Sequence, residues 1–208
     1  MQLAFNGVLS SARKRLQADA DLVALDPCSS SLVAYAGMAM SRASRLSLVK
    51  SSTMITETKQ IADMLSCLHD GRIVRATAGG DHLRLEVRIR YLAERVDPRY
   101  RSFSVHLRDV TELVFSTWPN DPNCAAALIT DPEIIFAPCL DILRCSVADG
   151  VLLLTCNQSS PEYDYCGGEL RARVGWANFI DEGGRAFSCE ELEVLSEAYW
   201  DEWSKRTG

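Results

Sequence analysis

The three histidines are the side chains best suited to acid–base chemistry near neutral pH. His69 is followed by Asp70, and a carboxylate beside an imidazole can orient it as a general base. Sequence neighbours rarely adopt that geometry, so a helix-ending turn before Gly71 is the simpler interpretation. A three-histidine metal site would also need His82 and His106. We keep His69, Asp70, His82 and His106 as candidates for a small-ligand or enzyme site, and predict no catalytic residue, metal or cofactor.

The eight cysteines do not have the spacing of a zinc site, since no two form Cys-x-x-Cys. Their even number would allow a disulfide framework, but no convincing secretion signal accompanies it. We therefore predict a reducing cytoplasm, with most cysteines acting as small core residues. Cys156, which shares strand parity with Leu152 and Leu154, fits that role.

A polar loop with two tyrosines is the strongest candidate for protein recognition. Tyr163, Asp164 and Tyr165 follow Ser-Ser-Pro and precede two glycines. Tyrosine offers a large contact area with few rotatable bonds, which suits recognition loops. The alternative is a hairpin loop whose tyrosines cover a sheet edge. The last helix adds three acidic partner-binding candidates, Glu197, Asp201 and Glu202, for which a solvated helix face is the alternative.

Strict alternation over Leu83–Leu92 is the clearest structural signal in the chain. Five apolar residues, Leu83, Leu85, Val87, Ile89 and Tyr91, alternate with four charged ones, Arg84, Glu86, Arg88 and Arg90. A period of two places one set on a covered face and the other in water, which predicts an antiparallel strand. Its arginines form a basic row. We expect this row to pair with acids on neighbouring strands, to meet an acidic partner or to lie under the acidic last helix, and we favour the helix.

Further strands are predicted at residues 72–77, 102–110, 112–118, 134–136, 140–147, 151–156 and 169–176, with turns between them. Apolar residues at helical spacing predict one helix before Gly71. A capping box formed by Ser188 and Glu191 predicts a second helix from about Cys189 to Lys205. The fold class is therefore mainly β (α+β). We predict an antiparallel β-sandwich or strongly curved sheet of seven to eight strands, with a helix before and a helix after it and no internal sequence repeat.

Residues 1–53 differ in composition from the rest of the chain. They hold six basic and three acidic residues, a net charge of +3, so the remainder carries −9. A targeting segment, a poorly ordered extension or a mis-assigned start before Met54 would each fit. We favour the mis-assigned start because the composition changes at a methionine. Residues 54–208 are predicted to form a single globular β-rich domain.

The formal charge of −6 argues against non-specific nucleic-acid binding, which needs clustered basic residues. The longest apolar runs fall far short of the ~20 residues of a membrane-spanning helix. We therefore predict a cytoplasmic chain whose partner is another protein, with no nucleic-acid and no membrane partner. The oligomeric state stays open.

The order of these features is similar to that of bacterial β-sandwich immunity proteins of polymorphic toxin systems and their uncharacterised relatives. The similarity covers about half of the chain and is carried by residues 68–71, the strand at 83–92, residues 103–115, the apolar run 134–136 and residues 169–174. It implies a non-enzymatic module that binds and neutralises a partner protein. Two alternatives remain: a small-ligand binder or enzyme with a site in the concave face of the sheet, and a structural or regulatory protein.

Overall fold

The computed structural model describes residues 54–207, and the predictions for residues 1–53 lie outside this range. The four helices of this part are α1 Thr58–Cys67, α2 Arg90–Val96, α3 Pro132–Phe136 and α4 Cys189–Thr207. The ten strands are β1 Arg72–Gly79, β2 His82–Arg88, β3 Ser102–Arg108, β4 Glu112–Pro119, β5 Leu128–Ile129, β6 Asp141–Ala148, β7 Val151–Asn157, β8 Tyr165–Arg173, β9 Trp176–Asp181 and β10 Ala186–Phe187.

All ten strands form one antiparallel sheet that does not close, in the order β10-β9-β3-β2-β1-β6-β7-β8-β4-β5. The prediction of a mainly β fold with a helix before and a helix after the sheet is confirmed. The strand count exceeds the predicted seven to eight partly because β5 and β10 are two-residue edge strands. Such short edges offer little unpaired backbone to other chains.

The sheet consists of two five-stranded parts joined at a narrow seam. Half-sheet I contains β10, β9, β3, β2 and β1, and half-sheet II contains β6, β7, β8, β4 and β5. Strands β1 and β6 share one residue pair, Arg72 with Asp141, and their side chains form a two-pronged ion pair at 2.6 and 2.9 Å. Apolar side chains of both half-sheets belong to a single core.

The two half-sheets repeat one topology although the sequence shows no repeat. Each has a three-stranded meander, β1-β2-β3 or β6-β7-β8. The fourth strand of each half-sheet is the strand that follows the other meander in the sequence. Thus β4 follows β3 but pairs with β8, and β9 follows β8 but pairs with β3. The halves are therefore interlocked, and neither is complete without the other.

The repeat extends to single residues. Both first strands shift register at the same place, between Ile73 and Arg75 in β1 and between Ile142 and Arg144 in β6. Two residues before these strands, Asp70 and Cys139 both adopt positive φ, 63° and 54°. The pairing therefore gives most strand residues of one half-sheet an equivalent in the other, such as Phe115 for Phe179 or Asn157 for Arg88.

Helices α1 and α4 complete the core. α1 packs against β6 and β7 and buries Ile61, Met64 and Leu65. The predicted capping box opens α4: the Glu191 backbone N–H donates to Ser188 Oγ at 3.2 Å, and the Ser188 N–H donates to the Glu191 carboxylate at 3.0 Å. α4 contacts α1 and α2, so both terminal helices of the described region contribute to one helical layer.

Two strand predictions are wrong at their ends. The strand predicted over Leu83–Leu92 ends at Arg88, and α2 begins at Arg90. The buried residues Ile89, Leu92 and Ala93 also fit helical spacing, so the alternation was ambiguous there. The strand predicted over 169–176 is divided, because β8 ends at Arg173 and Trp176 begins β9.

The strand predicted at Ile134–Phe136 is instead the short helix α3. Asp131 precedes the helix and its carboxylate accepts a hydrogen bond from the Glu133 backbone N–H at 3.0 Å. Pro132 occupies the first turn, where its missing N–H costs nothing. Asp131 and Pro132 therefore start a helix here, and they outweigh the strand preference of the apolar run that follows. None of the helices within residues 54–207 is long and apolar enough to span a membrane.

Candidate functional site

A groove runs along β3 on the outer face of half-sheet I, the face opposite the core. Its floor consists of Ser102, Ser104 and His106, which project outward from β3 because Phe103, Val105 and Leu107 project into the core. Longer side chains on the flanking strands form the walls. The serines therefore leave an open channel parallel to the strands, with a volume of about 830 Å³.

Four arginines line this channel, and we call it the arginine groove: Arg84, Arg88, Arg90 and Arg101. Arg84 and Arg88 project from β2 with Glu86 between them, and Ile180 of β9 lies across the floor. Arg90 and Arg101 lie at the end where β2 and β3 pair Arg88 with Ser102. The groove is thus a local concentration of basic side chains in a chain whose net charge is negative.

The four arginines differ in how strongly the fold engages them. Arg90 and Arg101 share one acid, with guanidinium nitrogens 2.9 and 3.2 Å from Glu94 Oε1. Arg101 also donates to two backbone carbonyls of its own loop. By contrast, Arg84 reaches only the Ser104 hydroxyl, at 3.2 Å, and Arg88 has no side-chain partner within residues 54–207. Arg84 and Arg88 therefore retain donors for a ligand.

Two acids of the groove, Glu182 and Glu86, differ in how strongly the fold engages them. Glu182 Oε1 accepts hydrogen bonds from the backbone N–H groups of Arg101 and Ser102 at 2.5 and 2.7 Å. Burial alone would raise the pKa of Glu182, but these hydrogen bonds lower it, so the carboxylate stays ionised. Glu86 lies 3.9 Å from Arg75 on the neighbouring strand. Glu182 is therefore occupied, whereas Glu86 makes only this one long contact within the described residues and can still pair with a cation of a ligand.

His106 lies on the groove floor between Arg84 and Asn178, its direct neighbours on β2 and β9. Burial, and then the charges of Arg84 and Arg108, lower the pKa of His106 from 6.5. The ring is therefore neutral at pH 7. Its Nε2 is buried without a hydrogen-bond partner in the described region.

The other histidine candidates do not join His106 in one site. His82 shares the outer face with His106 but belongs to the turn end of β2, where it pairs with Gly79. His69 precedes the opposite end of β1 and stacks on Trp200 of α4, with ring centroids 4.8 Å apart. Its Nε2 lies 4.0 Å from the exposed Asp70 carboxylate. Within residues 54–207, no group of three or more His, Cys, Asp or Glu side chains could hold a metal ion.

The predicted tyrosine loop is only partly accessible. Tyr165 is 6% exposed and packs against Phe115, with ring centroids 6.0 Å apart. Tyr163 is half-buried against Tyr165, and the backbone carbonyl of Asp164 accepts a hydrogen bond from the Asn120 N–H at 2.9 Å. The two tyrosines therefore serve largely to attach the loop to β4, and Asp164 is the exposed member of the three.

The acidic side chains of α4 do not reach the groove. Glu202 forms a two-pronged ion pair with Arg95 of α2, at 3.1 and 2.6 Å, while Glu197 and Asp201 are exposed. Arg84, Arg88 and Arg90 are all exposed on the outer face. The prediction that the basic row lies under α4 is therefore wrong. Within residues 54–207 the acids of α4 form ion pairs with Arg95, Arg185 and Arg206 and with none of the three arginines of the row.

The cysteines of the described region are all unpaired. Cys156 is buried as predicted, and burial raises its pKa to about 12. Cys67 and Cys145 are partly buried, and burial raises their pKa to about 11 and about 12. Cys124 and Cys166 are exposed and depart from the predicted core role.

Comparison of the chain with models of known protein families, with curated proteins and with solved structures found no match.

The arginine groove was only partly visible in the sequence. Arg84, Arg88 and Arg90 stand out through alternation, but Arg101 lies in the loop before β3. The small outward residues Ser102 and Ser104 carry a usable signal, because serines that alternate with Phe103 and Val105 predict a shallow strip. What the sequence did not show is that β9 would form the far wall, since that pairing joins segments far apart in the chain.

Proposed function

We propose that the chain is a non-enzymatic protein-binding module, and that the arginine groove binds an acidic segment of its partner. The observation that carries this proposal is the pair Arg84 and Arg88, two exposed guanidinium groups whose hydrogen-bond donors the fold leaves largely unused. Guanidinium groups bind carboxylates through paired hydrogen bonds, and arginine is enriched at protein interfaces.

The repeated topology supports a functional reading of these charges. In half-sheet II the positions equivalent to Arg84 and Arg88 are occupied by Leu153 and Asn157. The same backbone therefore folds without arginine there, so the fold does not require these charges. Arg84 makes a single hydrogen bond to Ser104 and Arg88 makes none within residues 54–207, so a ligand best explains two arginines on this strand.

A neutralising role in the cytoplasm is the form of binding that we propose, because the features of the sequence are similar to those of immunity proteins. A module of this kind needs an accessible surface with strong charge complementarity, since opposite charges raise the association rate. The groove provides such a surface for an acidic partner. The net negative charge of the chain, taken alone, would instead favour a basic partner.

Site-specific photo-crosslinking in cells of the native host tests the proposal. A photoreactive residue at position 104, on the groove floor, is compared with one at Ser146, an exposed outward position of half-sheet II. We expect one protein to crosslink from position 104 and not from 146. The double substitution Arg84→Gln with Arg88→Asn should weaken its affinity about tenfold.

The matched control is Arg144→Gln. Arg144 is an exposed arginine of β6 without a side-chain partner in the described region, so its loss removes one positive charge, half of the change in the groove variant, from the other half-sheet. Crosslinks that persist in the groove variant but vanish in the Arg144 variant would contradict the proposal, as would crosslinking from 146 alone. The alternative of a small-ligand or enzyme site keeps His106 as its best-placed residue, and a low-molecular-weight adduct at position 104 would favour it.

A further inference from the structure

The order of charges along the groove restricts the partner segment further. On its outer face β2 presents Arg84, Glu86 and Arg88 in line, an alternation of positive, negative and positive charge. Successive outward side chains of a strand are about 6.6 Å apart, so the two arginines are about 13 Å apart. A ligand that satisfies both must carry acids at the same separation.

The shape of the groove determines the conformation of that ligand. The channel follows β3 because its floor is the outward row Ser102, Ser104 and His106. The walls stand on β2 and β9, two strand spacings or about 9.6 Å apart, which is narrower than the diameter of about 10–12 Å of an α-helix with its side chains. A segment lying in this channel is therefore extended and has the same residue spacing as β2.

We infer that the partner segment is extended and carries acidic residues four positions apart, with a basic residue midway between them; this inference depends on the proposed binding function. The outer acids contact Arg84 and Arg88, and the central basic residue contacts Glu86. A third acid at the central position would face the Glu86 carboxylate, and like charges in direct opposition are unfavourable. The groove therefore discriminates between ligands by the order of their charges as well as by their net charge.

This pattern favours a protein segment over a nucleic acid. A nucleic-acid backbone carries negative charge at every residue and cannot present a cation opposite Glu86. The residues that line the groove also include no Phe, Tyr or Trp, the side chains on which unpaired bases stack.

Titration of the full chain with short peptides tests the inference. The probe Glu-Ala-Lys-Ala-Glu has acids four apart and reads the same in both directions, so its orientation does not matter. Its isomer Glu-Ala-Glu-Ala-Lys has the same composition and charge. We expect the first peptide to bind about fivefold more tightly, since exchanging Glu and Lys removes the contacts with Glu86 and Arg88 and places a like charge opposite each of them.

The reverse substitution sharpens the test. In Glu86→Lys the central position becomes basic, so Glu-Ala-Glu-Ala-Glu should become the preferred peptide, whereas wild type prefers Glu-Ala-Lys-Ala-Glu. Arg144→Gln should leave both preferences unchanged. Circular dichroism of each variant verifies that it is folded.

The outcomes separate the two proposals. Equal affinity for the two isomers, or an unchanged preference in Glu86→Lys, would overturn the charge-order inference while the groove remains a binding surface. Failure of every acidic peptide to bind, together with absent crosslinking from position 104, would overturn both. Tighter binding of oligothymidylate than of any peptide would show that the groove serves a nucleic acid.

Discussion

Half-sheets I and II have the same strand order, the same bulge in the first strand and the same exchange of a fourth strand, yet their outer faces differ in chemistry. The serine floor of half-sheet I at Ser104 is replaced in half-sheet II by Glu169, and Arg84 by Leu153. Their core faces, by contrast, hold equivalent buried rings at Phe179 and Phe115. Similar interiors show what this backbone needs in order to fold. The outer faces differ, so the fold does not depend on their side chains, and we propose that the binding function lies on the outer face of half-sheet I.

The largest effect that we predict from comparing the half-sheets is the loss of stability when a core ring is removed. Phe115→Ala and Phe179→Ala should each lower the free energy of unfolding by about 3–5 kcal/mol, because both rings are fully buried. The two losses should be similar, since the residues occupy equivalent positions. Chemical denaturation monitored by circular dichroism measures both. A loss of stability in only one of the two variants would contradict the structural equivalence of the two positions.

A second prediction concerns a position where the two cores differ. Phe103 in half-sheet I corresponds to Gly168 in half-sheet II. A Cβ at Gly168 would lie 2.6 Å from the Phe115 ring, so Gly168→Ala should destabilise the protein by about 1–3 kcal/mol. Ser146→Ala, at an exposed strand position, is the control and should be nearly neutral. A stability gain in Gly168→Ala would mean that the half-sheet II core has unfilled space there.

The seam between the half-sheets should contribute less. Arg72 and Asp141 occupy equivalent positions and pair with each other, and the Arg72 side chain is 49% exposed. A double-mutant cycle with Arg72→Gln and Asp141→Asn should give a coupling of about 0.5–1 kcal/mol, as expected for an exposed two-pronged pair. Coupling that persists unchanged in 1 M salt would contradict this assignment to an exposed ion pair.

The smallest effect concerns pH. Burial together with Arg84 and Arg108 lowers the pKa of His106 below 6.5, so the unfolded chain binds a proton more readily than the folded one. Stability should therefore fall as the pH drops through about 6.5. His106→Gln should remove this part of the pH dependence, as measured by unfolding at pH 7.5 and 5.5. An identical pH dependence in the variant would show that His106 is not responsible.

The sequence predicted most of the fold because period-two alternation is local. It identified β1 to β4, β6 and β7, the α4 capping box and the outward arginines. It failed where a local signal was ambiguous, at Ile89–Leu92 and Ile134–Phe136, where helix caps and spacing override apolar runs. The pairing of β3 with β9 and of β4 with β8 could not be predicted, because each pair joins segments far apart in the sequence and period-two alternation is a local signal. The groove, whose far wall is Ile180 of β9, was hidden for the same reason.

Mapping of peptide binding by nuclear magnetic resonance tests the central claim most directly. The uniformly ¹⁵N-labelled full chain is titrated with Glu-Ala-Lys-Ala-Glu, and shifts of backbone amides are compared between equivalent segments. We predict shifts in residues 84–88 and 102–106, and none in the equivalent segments 153–157 and 167–171. Shifts concentrated in the second pair of segments, or equal in both, would contradict assignment of the binding surface to half-sheet I.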